Sequence, residues 1–318
     1  MKVVVVGAAG QVGRNLVRLA VERGDTVAAT YKARRPAADL VPLELLDKTD
    51  AAACDRVLER LRPDVVIDTG AMHNVDYCET HREEANAVNR DGTRFLAESS
   101  RRLGARFVFI STDFVFDGAG PTPYVETETP HPQSVYAESK LAGELATLAT
   151  DPDNLVVRPS VIYSWLDTRE RAESSSGKGL NFGTWLAEEV ARGRPVRIIN
   201  DQVASPTLAS DLAGAILALV DRRCRGTFHT AGSTAMDRHS FSVQLVSRLG
   251  LDASLVHPVA TAELNQKAPR PAVSSLASGR LSAETGYRMM DLPKALDRFA
   301  ADFRADPGTS VLHSPAGA

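Results

Sequence analysis

The sequence predicts an α/β protein: a doubly wound parallel sheet with a smaller C-terminal α+β lobe. Three observations carry this. Val3–Val6 is an unbroken β-branched run that passes directly into Gly7, Gly10 and Gly13, as suits a strand covered on both faces that turns sharply into a helix. Strand-type and helix-type segments then alternate as far as Pro159, the pattern of a parallel sheet with crossover helices. Beyond Pro159 the alternation weakens, and a chain of 318 residues is long enough for a second core.

In chain order, Lys2–Val6 is the first strand, and the helix after the glycines carries Val12, Leu16, Leu19 and Ala20 on one side and ends at Gly24. Thr26–Tyr31 is the second strand, Val41–Leu46 the third, and Ala51–Leu61 a helix stopped by Pro63. Val65–Thr69 is the fourth strand, Glu83–Leu103 one long helix closed by Gly104, and Arg106–Ser111 the fifth strand. Tyr136–Ala149 is a helix and Leu155–Arg158 the sixth strand. Asp167–Gly179 is polar and serine-rich and reads as a mobile loop. Phe182–Ala191, Asp211–Val220, Ser240–Leu249 and Leu292–Phe303 are helices, Val196–Ile199 is a short strand, and Gly226–Thr230 is a last strand returning to the main sheet. The predicted division is a dinucleotide-binding domain over 1–163, joined by about 206–232, a second lobe from 164–205 and 233–305, and a disordered tail over 306–318.

Composition removes several function classes. With 37 basic and 40 acidic residues and no basic block, nucleic acid is not an expected partner. No apolar run has the length of a membrane span, and Met1-Lys2 leads into a strand, not a signal peptide. Cys54, Cys78 and Cys224 are odd in number and widely spaced, and the seven His lack ligand spacing. The expectation is therefore a reducing, cytoplasmic setting with no structural metal.

Two stretches carry chemistry. In Gly7-Ala8-Ala9-Gly10-Gln11-Val12-Gly13, the glycines allow close approach of a pyrophosphate to a helix N-terminus. The second strand ends at Tyr31 without an acid, and Lys32, Arg34 and Arg35 follow. A cationic cluster there suits a ribose 2′-phosphate, so NADPH is the expected cofactor with NADH as the alternative. Asp47 is a candidate adenine partner. The second stretch is Tyr136-Ala137-Glu138-Ser139-Lys140, which puts a phenol and an ammonium one turn apart on one helix face. An ammonium beside a phenol favours the phenolate, as a general acid for carbonyl reduction requires. Ser111-Thr112 ends an apolar strand about two dozen residues earlier, a distance a loop can fold back.

Together, Gly7–Gly13, Ser111-Thr112, Tyr136–Lys140 and Arg158-Pro159 resemble the extended short-chain dehydrogenases/reductases, which have a Rossmann-like fold. Ile110–Gly118, Val135–Glu144 and Ile199–Thr207 are similar to segments of the dTDP-4-dehydrorhamnose reductase family, as are Val75-Asp76 and Arg270-Pro271. The resemblance spans roughly residues 1–300. It implies an oxidoreductase of deoxysugar biosynthesis that reduces a nucleotide-linked 4-keto-6-deoxysugar. Tyr136 would be the proton donor, Lys140 the ribose partner, Thr112 the carbonyl contact and Asn89 the residue positioning Lys140. Gly70, Ala71, Met72 and Arg158 would face the cofactor. Asp76, Asp113, Phe114, Val161, Asn181 and Arg270 would face the substrate, with Arg270 as an anion contact. The resemblance leaves a homodimer open and assigns no metal ligands. Thr69-Gly70-Ala71 and Val161 depart from the family pattern, which leaves the sugar unassigned. Two alternatives stand beside it. One is a sugar-nucleotide epimerase or dehydratase, although dehydratases carry Asp-Glu where Asp113-Phe114 stands here. The other is a non-catalytic NADP-binding regulatory subunit resembling the methionine adenosyltransferase beta subunit.

Overall fold

The computed structural model describes residues 1–33, 35–36, 40–120, 123–166 and 181–309. In chain order the first half contains β1 (Lys2–Val6), α1 (Gln11–Glu22), β2 (Thr26–Tyr31), β3 (Leu43–Leu45), α2 (Ala51–Leu61), β4 (Val65–Asp68), α3 (Val75–Thr80) and α4 (Arg82–Asn86). A π-helical turn (Ala87–Asp91) leads into α5 (Gly92–Arg102), followed by β5 (Arg106–Ile110), α6 (Val135–Thr150) and β6 (Leu155–Arg158). The second half contains β7 (Ile162–Tyr163), α7 (Phe182–Ala191), β8 (Val196–Ile199), β9 (Val203–Ala204), β10 (Thr207–Leu208) and α8 (Ala209–Asp221). It ends with β11 (Gly226–His229), β12 (Met236–Asp237), α9 (Arg238–Arg248), β13 (Val256–Val259), α10 (Gly279–Thr285) and α11 (Leu292–Ala305).

The centre is a seven-stranded parallel sheet in the order β11-β6-β5-β4-β1-β2-β3. Its strand order reverses between β1 and β4, which opens a crevice at their C-terminal ends. The β-branched run of β1 is explained by two separate cores. Val3 and Val5 join the side covered by α1 and α8, while Val4 and Val6 join the side that includes Val57, Leu58, Leu96 and Phe107. Both faces are dry, so polar alternation is absent. A further apolar core, built on Tyr163, Trp165, Phe241, Phe299 and Phe303, gathers α7, β8, α9, β13 and α11.

Several expectations need correction. The third strand is three residues long. The helix expected over Glu83–Leu103 is interrupted by the π turn, which contains the fully buried Asn89; such turns recur at functional sites. The turn packs against α6 so closely that a Cβ on Gly143 would overlap the Asn89 carbonyl. The tail expected to be disordered from 306 is packed at its start, where Asp306 accepts a hydrogen bond from Trp165 Nε1 at 3.1 Å and Thr309 is buried. The loop expected over Asp167–Gly179 lies outside the described residues. Among the described residues no helix is long and apolar enough to cross a membrane.

Two ion pairs lie inside the sheet domain. Lys48 Nζ donates to Asp68 Oδ2 and to the Gly70 carbonyl, both at 2.6 Å, and Thr93 donates to the same carboxylate at 3.1 Å. Arg158 holds Glu144 with two bonds of 2.9 and 2.6 Å. Removing one partner of such a pair strands the other charge away from water. Lys48→Met is therefore expected to lower unfolding free energy by about 3–5 kcal/mol, read by urea denaturation, and Lys48→Met combined with Asp68→Asn to lose less. An unchanged unfolding midpoint in the single variant would refute the assignment.

Candidate active site

The glycine loop leaves β1 at Gly7, where φ is +85°. A side chain there would be strained and would press on Gly70 and Thr69 across the crevice. Gly13 backs against the Gly7 carbonyl. At Gly10, by contrast, a Cβ would meet no neighbour except the Gly7 carbonyl at 3.4 Å, so the loop has an open side. Gly10 is the N-cap of α1 and no side chain caps that helix. The N–H groups at its start, with Gln11, Val12 and Gly13 in the first turn, thus form a cradle suited to a pyrophosphate. Gln11 also ties the loop to the far side of the crevice, through Ile162 O at 3.4 Å and Ser164 Oγ at 3.1 Å.

The opposite wall begins after β4. Asp68 Oδ1 accepts from Gly70 N at 3.0 Å and fixes the bend. Ala71 follows, and Met72 is held at both ends by the Asn89 amide, which receives Met72 N at 2.9 Å and donates to Met72 O at 3.0 Å. The same amide donates to Ser139 Oγ at 2.9 Å. One buried Asn therefore locks the crevice loop to α6.

Ser134 caps α6 by accepting from Ala137 N, and Tyr136 and Lys140 lie on its first turns. Thr112 stands just past β5 as the cap of a short 3-10 turn. Burial pushes the Tyr136 phenol up, with the adjacent Thr112 hydroxyl acting in the opposite direction. Lys140 is fully enclosed, donates to Ile110 O at 2.5 Å and lies 4.0 Å over the Phe109 ring. Its pKa is pushed down to about 7, by burial first and then by Lys48, against Asp68 and Glu144. The expected stabilisation of a Tyr136 phenolate by Lys140 is therefore corrected. Burial is the larger effect on the phenol, and the ammonium is turned to a backbone carbonyl. Phe114 meets Tyr136 edge-on, with ring centroids 6.1 Å apart.

Asp113 is the buried partner of Thr112. Its carboxyl accepts from Thr112 Oγ1 at 3.1 Å, Ser160 Oγ at 2.8 Å and Ser274 Oγ at 2.6 Å. Burial raises its pKa, and the three hydroxyls only partly oppose this. Val161, next to Ser160, has φ +40°, a costly conformation for a β-branched residue. It is held there by Ser160, by Thr207 N bonding to its carbonyl at 3.1 Å, and by the pairing of Ile162 in β7 with Thr207.

The remaining expected residues divide. Tyr31 ends β2 beside the glycine loop, and Lys32 is exposed but paired to Asp47 at 2.8 Å. Asp47 also accepts from Thr49 N and Oγ1, so its carboxylate has local partners besides the expected adenine contact. Arg34 lies outside the described residues, and Arg35 is exposed. Arg158, expected at the cofactor, is committed to Glu144 and joins β6 to α6. Asp76 and Arg270, both expected at the substrate, bind each other at 2.9 Å, and Asp76 also accepts from Lys267 N and Ala268 N. Arg270 thus already holds a carboxylate at the position where an anion contact is expected. Asn181 caps α7 through Gly183 N and Thr184 N. Sequence reasoning missed Lys48, Asp68, Glu144, Ser160 and Ser274, because a charged or hydroxylated residue in isolation reads as solvated. Among the described residues no three His, Cys, Asp or Glu side chains gather as a metal site.

Comparison with known proteins agrees with this geometry. Residues 1–305 match the family model described as RmlD substrate binding domain. The chain is 36% identical over 282 residues to a dTDP-4-dehydrorhamnose reductase of Mycobacterium tuberculosis, covering 87% of this chain and 85% of that protein. Its structure is similar to that of a Clostridium acetobutylicum dTDP-4-dehydrorhamnose reductase, with TM-score 0.82, 30% identity and coverage of 96% and 100% of the two chains. A Bacillus anthracis dTDP-4-dehydrorhamnose reductase in complex with NADP gives TM-score 0.83 at 28% identity, covering 95% and 99%.

The Asp113 environment predicts a pH signature. Its folded carboxyl keeps its proton to higher pH than the unfolded one, so the stability it contributes is present at low pH and lost as pH rises through the raised value. Asp113→Asn removes that titration. The melting temperature of the variant relative to the parent should therefore rise as pH increases above the ordinary carboxylate range of about pH 4. A difference that stays flat would show that Asp113 titrates normally.

Proposed function

This chain belongs to the RmlD substrate binding domain family, and we propose that it is an NADPH-dependent reductase of a nucleotide-linked 4-keto-6-deoxysugar. The observation that carries the reading is the approach of Thr112 and Tyr136 at the C-terminal end of the sheet, on the helix that Asn89 locks to the dinucleotide crevice. The dinucleotide, when bound, supplies the hydride. The start of α1 would hold its pyrophosphate, and the bend from Gly70 to Met72 would line its other side. Tyr136 keeps its proton at neutral pH, which is the state a donor to the incoming carbonyl oxygen needs. Thr112 is oriented by Asp113 and directs the carbonyl oxygen toward that phenol. Lys140, one turn on, supplies a titrating amine at the ribose side. We also propose the two-lobe division over 1–163 with 206–232 and 164–205 with 233–305, because the second aromatic core lies almost wholly within the latter segments.

A dehydratase reading is weaker. Elimination of water needs an extra acid and base, whereas Asp113 is saturated by hydroxyls and is followed by Phe114. A regulatory, non-catalytic subunit is separated by turnover. Purified protein should oxidise NADPH with dTDP-4-dehydro-L-rhamnose or a related 4-ketosugar, followed by absorbance; NADPH binding without oxidation across that panel would sink the reductase reading. Tyr136→Phe should lower turnover by about 10²–10⁴-fold while leaving NADPH affinity within a few-fold. Neutralising Lys32, Arg34 and Arg35 together should reduce the preference for NADPH over NADH, and unchanged selectivity would place the 2′-phosphate contact elsewhere.

A further inference from the structure

Lys48 follows β3 and is buried, although its neighbours Asp47 and Thr49 are less enclosed. Its aliphatic stem lies against Gly92, where an added Cβ would come within 2.9 Å of Lys48 Cγ and 3.0 Å of the Lys48 carbonyl oxygen. Any side chain at the start of α5 would therefore displace this lysine, and glycine leaves the room for it. The ammonium meets three partners: Asp68 Oδ2 and the Gly70 carbonyl at 2.6 Å each, and Thr93 Oγ1 at 3.3 Å. Stability by itself does not account for this arrangement. Neutral groups in place of both partners of a buried ion pair are commonly as stable as the pair. What an apolar replacement of Lys48 does not restore is the bond to Gly70.

Gly70 has both backbone groups held from the interior, its N–H by Asp68 Oδ1 at 3.0 Å and its carbonyl by Lys48. It stands directly opposite Gly7: an added Cβ on Gly7 would lie 3.0 Å from Gly70 N and 3.2 Å from Gly70 Cα. Thr69 ties the same two segments, donating through Oγ1 to Val6 O at 2.7 Å and to Gly7 O at 3.1 Å. A glycine has no side chain to anchor it and wide backbone freedom, so the direction of the Gly70 carbonyl rests on Lys48. If that carbonyl turns, the peptide seated against Gly7 shifts, and Gly7 is where the pyrophosphate cradle begins. We infer that Lys48 is a positioning residue for the dinucleotide: by holding the Gly70 carbonyl inward, it fixes the crevice wall against Gly7 and keeps the start of α1 shaped for the cofactor. This rests on the dinucleotide-binding part of the reductase reading and is independent of the identity of the sugar.

The test compares NADPH affinity with stability in the full chain, using fluorescence titration, urea unfolding and peptide-level hydrogen exchange, none of which needs turnover. Asp68→Asn keeps the Lys48–Gly70 bond but strands a buried charge, so it should lose stability and keep NADPH affinity within a few-fold. Lys48→Met combined with Asp68→Asn removes both charges and that bond. It should regain much of the stability lost by either single variant, yet bind NADPH about tenfold more weakly than the parent. Hydrogen exchange over residues 69–72 should quicken in the double variant while that of β1 and β5 stays near the parent's. Affinity that merely follows stability through these variants would overturn the inference and leave Lys48 a structural residue. An affinity loss in Asp68→Asn as large as in Lys48→Met would do the same, as would parental affinity in the double variant or no NADPH binding by the parent. If NADPH binding depends on Lys48 yet no 4-ketosugar is reduced, the inference holds and the reductase reading fails. If the parent reduces the sugar while the double variant binds NADPH equally well, the reading holds and the inference fails.

Discussion

Asp113 receives hydroxyl groups from its neighbour Thr112 after β5, from Ser160 after β6 and from Ser274 between β13 and α10. Two sheet ends and the segment before α10 are thereby pinned to a carboxyl that is almost wholly buried. A buried carboxyl demands partners, so the polar groups around it have little freedom. Thr112 can neither rotate toward solvent nor withdraw from Tyr136 without leaving Asp113 less satisfied. The backbone responds as well. Val161 takes a positive φ because Ser160 on one side and Thr207 on the other fix the segment. The strain is local, and the surrounding bonds sustain it.

A second constraint acts from below. Asn89, inside a π turn, satisfies both backbone groups of Met72 and reaches Ser139 on α6. The dinucleotide wall and the helix carrying Tyr136 are consequently tied together. Beneath them, Lys48 and Asp68 secure the bend at Gly70 and contribute charge that is felt by Lys140. The low pKa of Lys140 is thus a property of the neighbourhood, with burial first and a second lysine next. A sequence-spacing argument about Tyr136 and Lys140 cannot see either influence.

Much of the frame was legible in the residues. β1, β2, β6 and β8, and the helices α2 and α7, have the limits that hydrophobic pattern and turn residues predict. The loop from Gly7 to Gly13 and the approach of Thr112 to Tyr136 were legible too. The interruption at Asn89 was not, because a one-residue insertion in a helical ladder leaves the apolar period almost unchanged. Nor were the pairings of Asp47 with Lys32 and of Asp76 with Arg270. Each of these four side chains looks available in sequence, and each is committed once folded.

The chain's linear order alone determined that a parallel sheet would form, where its glycine turn would lie, and which phenol and amine share a helical turn. These follow from periodicity, glycine placement and spacing, which are local quantities. Only the tertiary structure decided which charges remain free to meet a ligand. Asp76 consumes Arg270 across 194 residues, and Glu144 consumes Arg158. Charge neutralisation depends on distances through space, and those distances exist only once the chain has folded.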